Sequence, residues 1–440
     1  MSAGSCRSFA TFAAINSSSN ILNRQADIII IGAGASGLMA AIHAAGCGCK
    51  VMLLEKMPLP ARKLRITGKG RCNLTNTALR AEFMKHIGPD ARFLKFAFAE
   101  FFNEDLIRFF NTLGVETKEE QGGRVFPVSD SAQEVVDALV SKARSAGVDI
   151  RCGQAVRRIM HGQGKIAGAE LVDGRRLECE RIILAAGGSS YPATGSDGDG
   201  FRLAETCGHT VLPLSPGLVP LETSGSLAPS MQGISLKNIQ VNVWLDGKKA
   251  GEAFGEMLFT HFGLSGPVIL SLSRRFVSDI VAGRKVVFSL DLKPALDHDI
   301  LDARLLREMD AHGKKSYSSL LRLLMPSGMT GAFAALTGIP GDKVVNQLTA
   351  ADRKKIRLLL KDMPFTISRP RGFKEAIITM GGVSTSEVDA RSMESKLVSG
   401  LYLCGEVLNL DADTGGYNLQ IAFSTGYIAG RSAGESACKA

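Results

Sequence analysis

Three observations predict an α/β fold whose sheet is interrupted by an insert. An apolar run, Ile28 to Ile31, leads directly into a glycine-rich turn and a helical stretch. Two further apolar runs, at 182–187 and 401–405, also end in glycine. From about residue 191 the pattern changes to short alternating segments, and later to helical periodicity. The sequence therefore predicts a Rossmann-like domain that an insert interrupts.

The first turn carries a G-x-G-x-x-G motif at Gly32, Gly34 and Gly37. Gly32 permits a tight turn, Gly34 leaves room for a pyrophosphate, and Gly37 lets the following helix pack close to the sheet. Glu55 ends the next apolar run, where a carboxylate would accept hydrogen bonds from ribose hydroxyls. The apolar stretch is too short for a membrane span, and a plain βαβ core would not need glycines at this spacing.

Composition sets wide limits on function. The chain has 440 residues, 45% of them hydrophobic and 22% charged, which is ordinary for two or three globular domains. The net charge of +9 is spread along the chain and favours a solvated surface or anionic ligands. No basic, aromatic-interleaved module occurs, so a nucleic-acid partner is not expected. The nine cysteines contain no CxxC pair and no metal-like spacing, so we predict no metal site and a reducing compartment.

Residues 1–25 are predicted to be a flexible leader. Residues 1–26 contain no acid, six serines and two arginines, a composition typical of organellar transit segments. A disordered leader and a start assigned too far upstream are the alternatives. We predict a cytoplasmic protein, or one of an organellar matrix if the leader is a transit segment.

The remaining elements of the first part follow in order. The segment 61–77 contains five cations and no acid, and is expected to be a flap that contacts an anionic cofactor. A phenylalanine-rich helix is predicted over 91–113 and a second helix over 132–146. Short strands are predicted at 148–152 and 166–171, before the buried strand that ends at Gly187 and Gly188.

The middle of the chain is predicted to be the insert. Alternating strands, clearest at 240–245 and 286–292, indicate a β-rich part over 191–297 that would cap the substrate. Helical periodicity over 298–369 indicates a small helical part. Residues 26–190 and 370–440 would then form one discontinuous domain.

The C-terminal block indicates which dinucleotide binds. An apolar strand ends at Gly405-Glu406, and Gly415-Gly416 opens a long helix. The amides of that helix would face the part of a flavin where negative charge grows on reduction. NAD does not need this distant second site, whereas the longer FAD does.

These blocks, taken in order, resemble the BaiN/YhiN-type family of FAD-dependent oxidoreductases, also labelled aminoacetone oxidase-like. The specific parts are Lys63 to Asn76, Gly187 to Gly200, Glu256 to Pro267, Gly381 to Val383, Met393 to Lys396 and Gly405 to Asn418. The resemblance implies non-covalent FAD in a discontinuous domain, with a β-barrel-like insert and a small helical part. It does not imply a particular substrate.

The expected site residues follow from the motifs and the resemblance. The residues expected to bind FAD are Gly32, Gly34, Ala35, Ser36, Gly37, Glu55, Lys56, Lys63, Thr67, Gly68, Arg71, Asn73, Ala186, Gly187, Gly188, Gly405, Glu406, Gly415, Gly416, Asn418 and Leu419. The candidates for a catalytic proton donor are His261 on the insert and the tyrosines Tyr191 and Tyr417 beside glycine-rich loops. Ring packing or another structural role is the alternative for each.

The sequence thus predicts hydride transfer between FAD and a small organic substrate. No second dinucleotide motif occurs, so either NAD(P)H binds transiently as a co-substrate or the enzyme uses another electron donor or oxygen. A flavin-dependent tRNA-modifying enzyme and a flavin-binding protein without turnover are the alternatives. The sequence leaves the oligomeric state open.

Overall fold

The computed structural model describes residues 25–439. The predicted leader lies outside the described residues, apart from Gln25. The strands are β1 (Ile28–Ile31), β2 (Val51–Glu55), β3 (Thr75–Asn76), β4 (Thr117–Glu120), β5 (Arg124–Pro127), β6 (Asp149–Cys152), β7 (Val156–Gly162), β8 (Lys165–Leu171), β9 (Arg176–Glu178), β10 (Arg181–Leu184), β11 (Val211–Gly217), β12 (Leu221–Thr223), β13 (Ser235–Leu245), β14 (Lys248–Phe259), β15 (Gly263–Ser265), β16 (Val286–Asp291), β17 (Met363–Pro370), β18 (Ile378–Val383) and β19 (Leu401–Leu403).

The helices follow the same chain order. They are α1 (Ala35–Gly46), α2 (Arg62–Ile66), α3 (Arg80–Phe83), α4 (Ala97–Glu100), α5 (Asn103–Thr112), α6 (Ala132–Ser145), α7 (Asp199–Thr206), α8 (Pro267–Val281), α9 (His298–Ala311), α10 (Tyr317–Leu324), α11 (Thr330–Thr337), α12 (Ala350–Lys361) and α13 (Tyr417–Cys438).

A parallel five-stranded sheet forms the centre of the first part. Its strand order is β19-β10-β1-β2-β6, and every neighbouring pair is parallel. All four residues of β1 are buried, which explains why the strand is a continuous apolar run. The predicted α/β class with a Rossmann-like domain is confirmed.

The predicted single helix over 91–113 is wrong. A 3₁₀ segment over Pro89–Lys95 precedes α4 and α5, and Phe101 and Phe102 between the two helices are extended. The break occurs because the side chain of Asp105 accepts a hydrogen bond from the amide of Phe102 and starts a new helix there. Phe102 then packs on Phe83, whereas Phe101 stacks on Tyr427 in a different cluster.

The insert is a closed antiparallel barrel with helices packed against it. The strand order is β12-β15-β14-β13-β16-β17, and β17 buries alternate residues from Met363 to Ile367. Helices α9 to α12 share one apolar core with the barrel, in which Phe288, Leu305 and Ile356 are fully buried. The predicted barrel-like part and the small helical part are both present.

The packing places the junction between the two parts later than residue 190. Helix α7 contributes Phe201 and Leu203 to the core of the nucleotide-binding part. Strand β11 pairs with β18 in a separate two-stranded sheet, and the barrel begins only at β12. We therefore expect the first boundary near Pro220. There the chain entering the barrel meets the chain leaving it, since the carbonyl of Pro220 accepts a hydrogen bond from the amide of Arg371 at 3.0 Å. The division at 190 and 370 stays a prediction.

Candidate functional site

A cleft of about 1720 Å³, including its opening to solvent, lies at the carboxyl ends of the parallel strands. Ligands of open α/β sheets bind at this edge. The predicted FAD-binding residues line the cleft with four exceptions, which are Gly37, Arg71, Gly188 and Gly405. Segments from the whole length of the nucleotide-binding part, from Ile31 to Ala422, thus meet at one place.

The three glycines of the first turn have three different reasons to lack a side chain. Gly32 has φ +102°, and a Cβ there would overlap the carbonyl of Ala185. A Cβ on Gly37 would overlap the carbonyl of Gly32, so helix α1 could not pack against the turn. A Cβ on Gly34 would meet no protein atom within 4 Å and would project into the cleft. Gly34 therefore leaves space for a ligand rather than for the fold.

Glu55 is held at the end of β2 by two backbone amides. Its Oε2 accepts from the amide of Ala33 at 2.9 Å, and its Oε1 accepts from the amide of Met57 at 2.8 Å. The carboxylate is half-buried and lines the cleft. These bonds fix its orientation beside the first turn, and its remaining lone pairs can accept hydroxyl donors.

Helices α1 and α13 run side by side in the same direction, and both begin at the cleft. The backbone of Gly426 approaches Ser36, and that of Gly430 approaches Ala40, so the helices touch through small residues. Gly426 lies beside Ser36 at the start of α1, and Tyr417, the first residue of α13, precedes Gly426 by nine residues. Along their common direction, α13 therefore begins roughly 13 Å before α1 does. Two positive helix ends therefore face one cleft at two points along its length.

A polar network joins the flap to the loops after β10 and β19. Lys63 Nζ donates to Glu406 Oε2 and to Ser190 Oγ, both at 2.6 Å. Glu406 Oε1 accepts from the amide of Thr379 at 2.8 Å, and the Thr379 hydroxyl accepts from the amide of Ser189 at 2.7 Å. Lys63 and Glu406 are each about one-fifth exposed and both line the cleft.

The other two predicted cations have different surroundings. Lys56 lines the cleft and pairs with Asp197 and with Asp199, the latter at 2.7 Å. Arg71 does not line the cleft. Its guanidinium pairs with Glu120 and lies over the ring of Phe126, 4.2 Å from the centroid. The structure thus brings Lys56, but not Arg71, to the expected cofactor.

Two asparagines of the cleft hold backbone in place. With its amide nitrogen donating to the carbonyls of Val125 and Thr75, Asn73 accepts from the amide of Gly416 at 3.0 Å. Asn418 Nδ2 donates to the carbonyl of Ala412 at 2.9 Å, and its Oδ1 accepts from the amide of the same residue. Both side chains therefore shape the loop that leads into α13.

Arg274 of the insert reaches the same loop. Its guanidinium pairs with Asp411 and, at 2.8 Å, with Asp413, and it is only about 10% exposed. Asp413 also bonds to Nδ1 of His86 at 3.0 Å. Burial alone would raise the pKa of Asp413, but the hydrogen bond to His86 and the charge of Arg274 outweigh burial and lower it. The insert is thus anchored beside Thr414, which lines the cleft.

None of the three catalytic candidates lines the cleft. Tyr417 is buried, stacks on His86 with centroids 4.4 Å apart, and has a pKa that burial raises to about 12. His261 lies exposed in the turn between β14 and β15, with its ring against Phe262. Tyr191 is half-buried, and its amide donates to the carbonyl of Phe373 at 3.0 Å.

Gly416 and Asn418, which flank Tyr417, line the cleft, and Tyr191 lies between two lining stretches. Ala186 and Gly187 before it, and Thr194 to Ser196 after it, line the cleft. Burial, with a smaller effect of the Glu375 charge, raises the pKa of the Tyr191 hydroxyl. The hydroxyl is therefore protonated at neutral pH.

Several lining residues were not predicted. They include Arg62, Gln154, Val156, Ser196, Asp199, Leu218, Ile377, Ile378, Leu410 and Thr414. Arg62 belongs to the predicted flap, and Ser196, Asp199, Leu410 and Thr414 lie inside blocks that carry the family resemblance, but none of the five was named as a site residue. The other five lie outside any motif, and their only signal was proximity to a predicted loop. Arg274 gave no signal, because its partners are more than 130 positions away in the chain.

Two features of residues 25–439 bear on other functions. Within this range, no group of three or more histidine, cysteine or acidic side chains could hold a metal ion. No helix in the same range is long and apolar enough to cross a membrane.

Comparisons with known proteins agree with this architecture. The family model described as the HI0933-like protein Rossmann domain matches residues 26–432. A 3-dehydro-bile acid delta(4,6)-reductase from Clostridium scindens is 33% identical, over 92% of this chain and 98% of its own. A ribosomal RNA dihydrouridine synthase from Escherichia coli is also 33% identical, over 91% of this chain and 96% of its own.

A solved structure shares the fold at much lower identity. The 3-ketosteroid delta1-dehydrogenase from Sterolibacterium denitrificans is 13% identical and has a TM-score of 0.50, covering 93% of this chain and 99% of its own. At this identity the likeness concerns the fold alone.

The residues present fit FAD. The open space at Gly34 suits a pyrophosphate, and Glu55 is oriented for ribose hydroxyls. Lys63 and Glu406 line the same cleft as the two helix starts and could contact the ribityl chain, and the start of α13 suits the pyrimidine edge of the ring. Each of these groups corresponds to one part of the dinucleotide.

Proposed function

The chain belongs to the HI0933-like family and is an FAD-dependent oxidoreductase, and from that premise we propose that it reduces a carbon–carbon double bond conjugated to a carbonyl group. The observation that carries this proposal is the chemistry named for two full-length relatives. A 3-dehydro-bile acid has a ring carbonyl in conjugation with its delta(4) and delta(6) bonds. Conversion of uridine to dihydrouridine saturates a ring double bond that is also conjugated to a carbonyl. In both, a hydride adds to the carbon remote from the carbonyl and a proton adds to the nearer one.

The chain supplies binding, electrostatics and a proton to this reaction. Bound FAD supplies the hydride chemistry. The start of α13, at Gly415 and Gly416, presents its dipole to the cleft and stabilises negative charge there. Lys63 adds a cation in a network that Glu406 and Ser190 hold in place.

Tyr191 is our proposed proton donor. Its raised pKa keeps the hydroxyl protonated at neutral pH, and its segment forms part of the cleft wall. The loop that holds its amide continues to Ile377 and Ile378, which line the cleft. His261 is the rival donor, because its turn lies beside the loop that also contacts Tyr191. The guanidinium of Arg371 lies 4.6 Å from the ring centroid of Phe262, the residue after His261. Arg371 pairs with Glu375, whose charge acts on Tyr191. Tyr417 has less support, because its ring packs behind the loop.

A small organic substrate is favoured over a nucleic acid. Aliphatic side chains of Leu218, Ile377 and Leu410 line the cleft. Such a wall suits an apolar ring system better than a polyanion. Uridine in ribosomal RNA is the second candidate, because two relatives of nearly the full length carry that activity in their names.

NAD(P)H is our proposed electron donor, bound transiently at the open cleft. The chain contains a single G-x-G-x-x-G motif, and FAD accounts for it. A donor that binds only briefly does not need a second dinucleotide domain.

The test is an anaerobic stopped-flow experiment on the purified yellow protein. NADH or NADPH should bleach the flavin absorbance, and a steroid-like acid with a conjugated ring carbonyl should restore it. The same acid with a saturated ring is the control, and mass spectrometry should show a product heavier by two hydrogens. An unmodified ribosomal RNA fragment tests the second candidate. Flavin that neither compound reoxidises would rule out this reaction class, and flavin that no donor reduces would support a binding protein without turnover.

A further inference from the structure

Three cysteines meet at the ends of α1 and α13 that are remote from the cleft. Cys49 Sγ and Cys438 Sγ lie 3.9 Å apart, although the residues are 389 positions apart in the chain. Cys438 Sγ is 3.0 Å from the carbonyl of Cys47, and Cys49 Sγ is 3.5 Å from that of Gly434. The two thiols therefore belong to different elements and face each other across the helix pair.

We propose that Cys49 and Cys438 form a reversible disulfide that joins α13 to the start of β2. A disulfide bond is about 2.05 Å long, so the sulfurs must approach by roughly 2 Å. Cys438 is exposed and is the last residue of α13, where a helix has least restraint. Small rotations of the two side chains can therefore supply the movement.

Cys47 is a poorer partner than Cys49. Its sulfur points back to the carbonyl of His43, at 3.4 Å. Helix α13 also packs tightly over it, because a Cβ on Gly434 would lie 2.8 Å from both the Cβ and the Sγ of Cys47. Cys47 thus serves as a matched control within the same cluster.

The oxidant is a low-molecular-weight disulfide such as oxidised glutathione. The thiolate of Cys438 attacks one glutathione sulfur, forms a mixed disulfide and releases one glutathione thiolate. The thiolate of Cys49 then attacks the Cys438 sulfur of that mixed disulfide and releases the second glutathione. Two protein thiols lose two electrons and two protons, and one oxidised glutathione becomes two reduced ones.

The reaction should be slow at neutral pH and faster at higher pH. Burial, together with the hydrogen bond to Cys438, raises the pKa of Cys49 to about 12. The thiolate is the attacking species, so its supply increases with pH.

The bond would hold together the two helices that begin at the cofactor cleft. Gly426 and Gly430 already place α13 directly on α1, but the C-terminal end of α13 lies at the surface. A covalent link at this end closes a very long loop of chain, which restricts the unfolded state strongly. The oxidised protein should therefore unfold at a higher temperature and retain FAD longer on heating.

The experiment uses the full-length FAD-bound protein in redox buffers of oxidised and reduced glutathione. Free thiols are alkylated after acid quenching, and peptides are mapped by mass spectrometry. We expect a peptide pair that links Cys49 to Cys438, together with a rise in Tm of several degrees that dithiothreitol reverses. Cys438→Ser should abolish both effects, whereas Cys47→Ser should leave both unchanged.

Three outcomes would overturn the proposal. Glutathione that stays on Cys438 without a cross-link would show that the thiols cannot meet. A cross-link through Cys47 would show that the pair is assigned wrongly. A Cys49–Cys438 link that leaves Tm and FAD retention unchanged would exclude the stabilising role.

Discussion

The nucleotide-binding part lines the cleft, whereas the barrel insert contacts the loop beside it, and the two parts act by different means. The first part acts mainly through backbone: glycines at the turn, amides at two helix starts, and a carboxylate that two amides hold. The insert acts through a few side chains, chiefly Arg274, that contact the first part over long sequence distances. A role carried by the backbone leaves a local sequence motif, because it needs glycines or a helix start at fixed positions. A role carried by a side chain at the junction between the two parts leaves no such motif. The four predictions below test this contrast, from the largest expected effect to the smallest.

Gly34→Val should abolish FAD binding without unfolding the protein. Its φ of −81° suits any residue, and a Cβ there would meet no protein atom within 4 Å. The larger side chain would displace the pyrophosphate from two or three amides of α1. Because each such charge-assisted bond contributes about 1.5–3 kcal/mol, the loss is about 5 kcal/mol of binding free energy. Flavin absorbance after reconstitution and the far-UV circular dichroism spectrum measure the two effects.

Gly46→Val is the matched control for this variant. Gly46 is the last residue of the same helix, is exposed, and also has open space around a Cβ. It should keep FAD. Normal FAD binding by Gly34→Val would show that the glycine motif does not bind the cofactor.

Arg274→Met should destabilise the protein and separate the insert from the loop before α13. It would leave Asp411, which is about 9% exposed, and Asp413 without their cation. Removal of one partner from a buried ion pair costs about 3–5 kcal/mol. Urea unfolding monitored by flavin fluorescence measures this loss. The neighbouring exposed Arg275→Met, which retains the Asp411 pair, should change the free energy of unfolding by less than about 0.5 kcal/mol.

The Arg274 effect should depend on pH with a defined sign. The pKa of Asp413 is lower in the folded protein than in the unfolded chain, where it is about 3.9. The ionised carboxylate therefore stabilises the fold at pH values above about 3.9. This contribution is lost as the pH falls below that value. The difference between wild type and Arg274→Met should therefore be largest near neutral pH and should shrink below about pH 4. A constant difference across this range would mean that the Asp413 charge is not involved.

Tyr191→Phe should slow turnover while leaving FAD in place. Loss of a general acid typically lowers kcat by about 10²–10⁴-fold. The ring itself remains, so the turn at φ +53° and the amide bond to Phe373 should be retained. Reoxidation of the reduced flavin by a conjugated ring ketone measures the step. Tyr427→Phe, whose ring stacks on Phe101 away from the cleft, is the control. An unchanged kcat for Tyr191→Phe would favour His261 as the donor.

The same contrast explains how far the sequence could predict the fold. The parallel sheet was predictable because β1, β10 and β19 are buried, mainly apolar strands and a glycine follows each of them within three residues. The closed barrel was predictable only as alternating strands, since its order depends on pairings such as β12 with β17, whose partners Glu222 and Arg369 are 147 positions apart. The helix break at Phe101 was not predictable from periodicity, because it depends on the Asp105 side chain accepting from the amide of Phe102, after which the two rings join different aromatic clusters.

The site was predictable to a similar extent. Most residues in glycine or acidic motifs, such as Gly34 and Glu406, line the cleft, although Gly37, Gly188 and Gly405 do not. Arg71 belongs to the same basic segment, but Glu120 and Asp130 hold it elsewhere, and these partners lie on a strand and a loop that no motif connects to it. Leu218 and Ile377 are ordinary aliphatic residues in the sequence, and only the fold brings them together, where the amide of Ile377 donates to the carbonyl of Leu218 at 3.3 Å.

Glu55→Ala should have the smallest effect of the four, and it separates orientation from charge. The change removes a ribose acceptor worth about 1.5–3 kcal/mol in total, so FAD should bind about 10- to 150-fold more weakly. It also leaves the amides of Ala33 and Met57 without the acceptor they have in the described structure, which should loosen the turn.

Glu55→Gln keeps the size of the side chain, but one of these amides would then face an NH₂ group instead of an oxygen. If the charge and the amide contacts both matter, Glu55→Gln should bind FAD about as weakly as Glu55→Ala does. Fluorescence titration measures the FAD affinity. Glu178→Ala, at an exposed position, is the control and should bind FAD as the wild type does. Wild-type affinity for Glu55→Gln would mean that the ribose needs one acceptor oxygen and that the turn does not depend on the second amide bond.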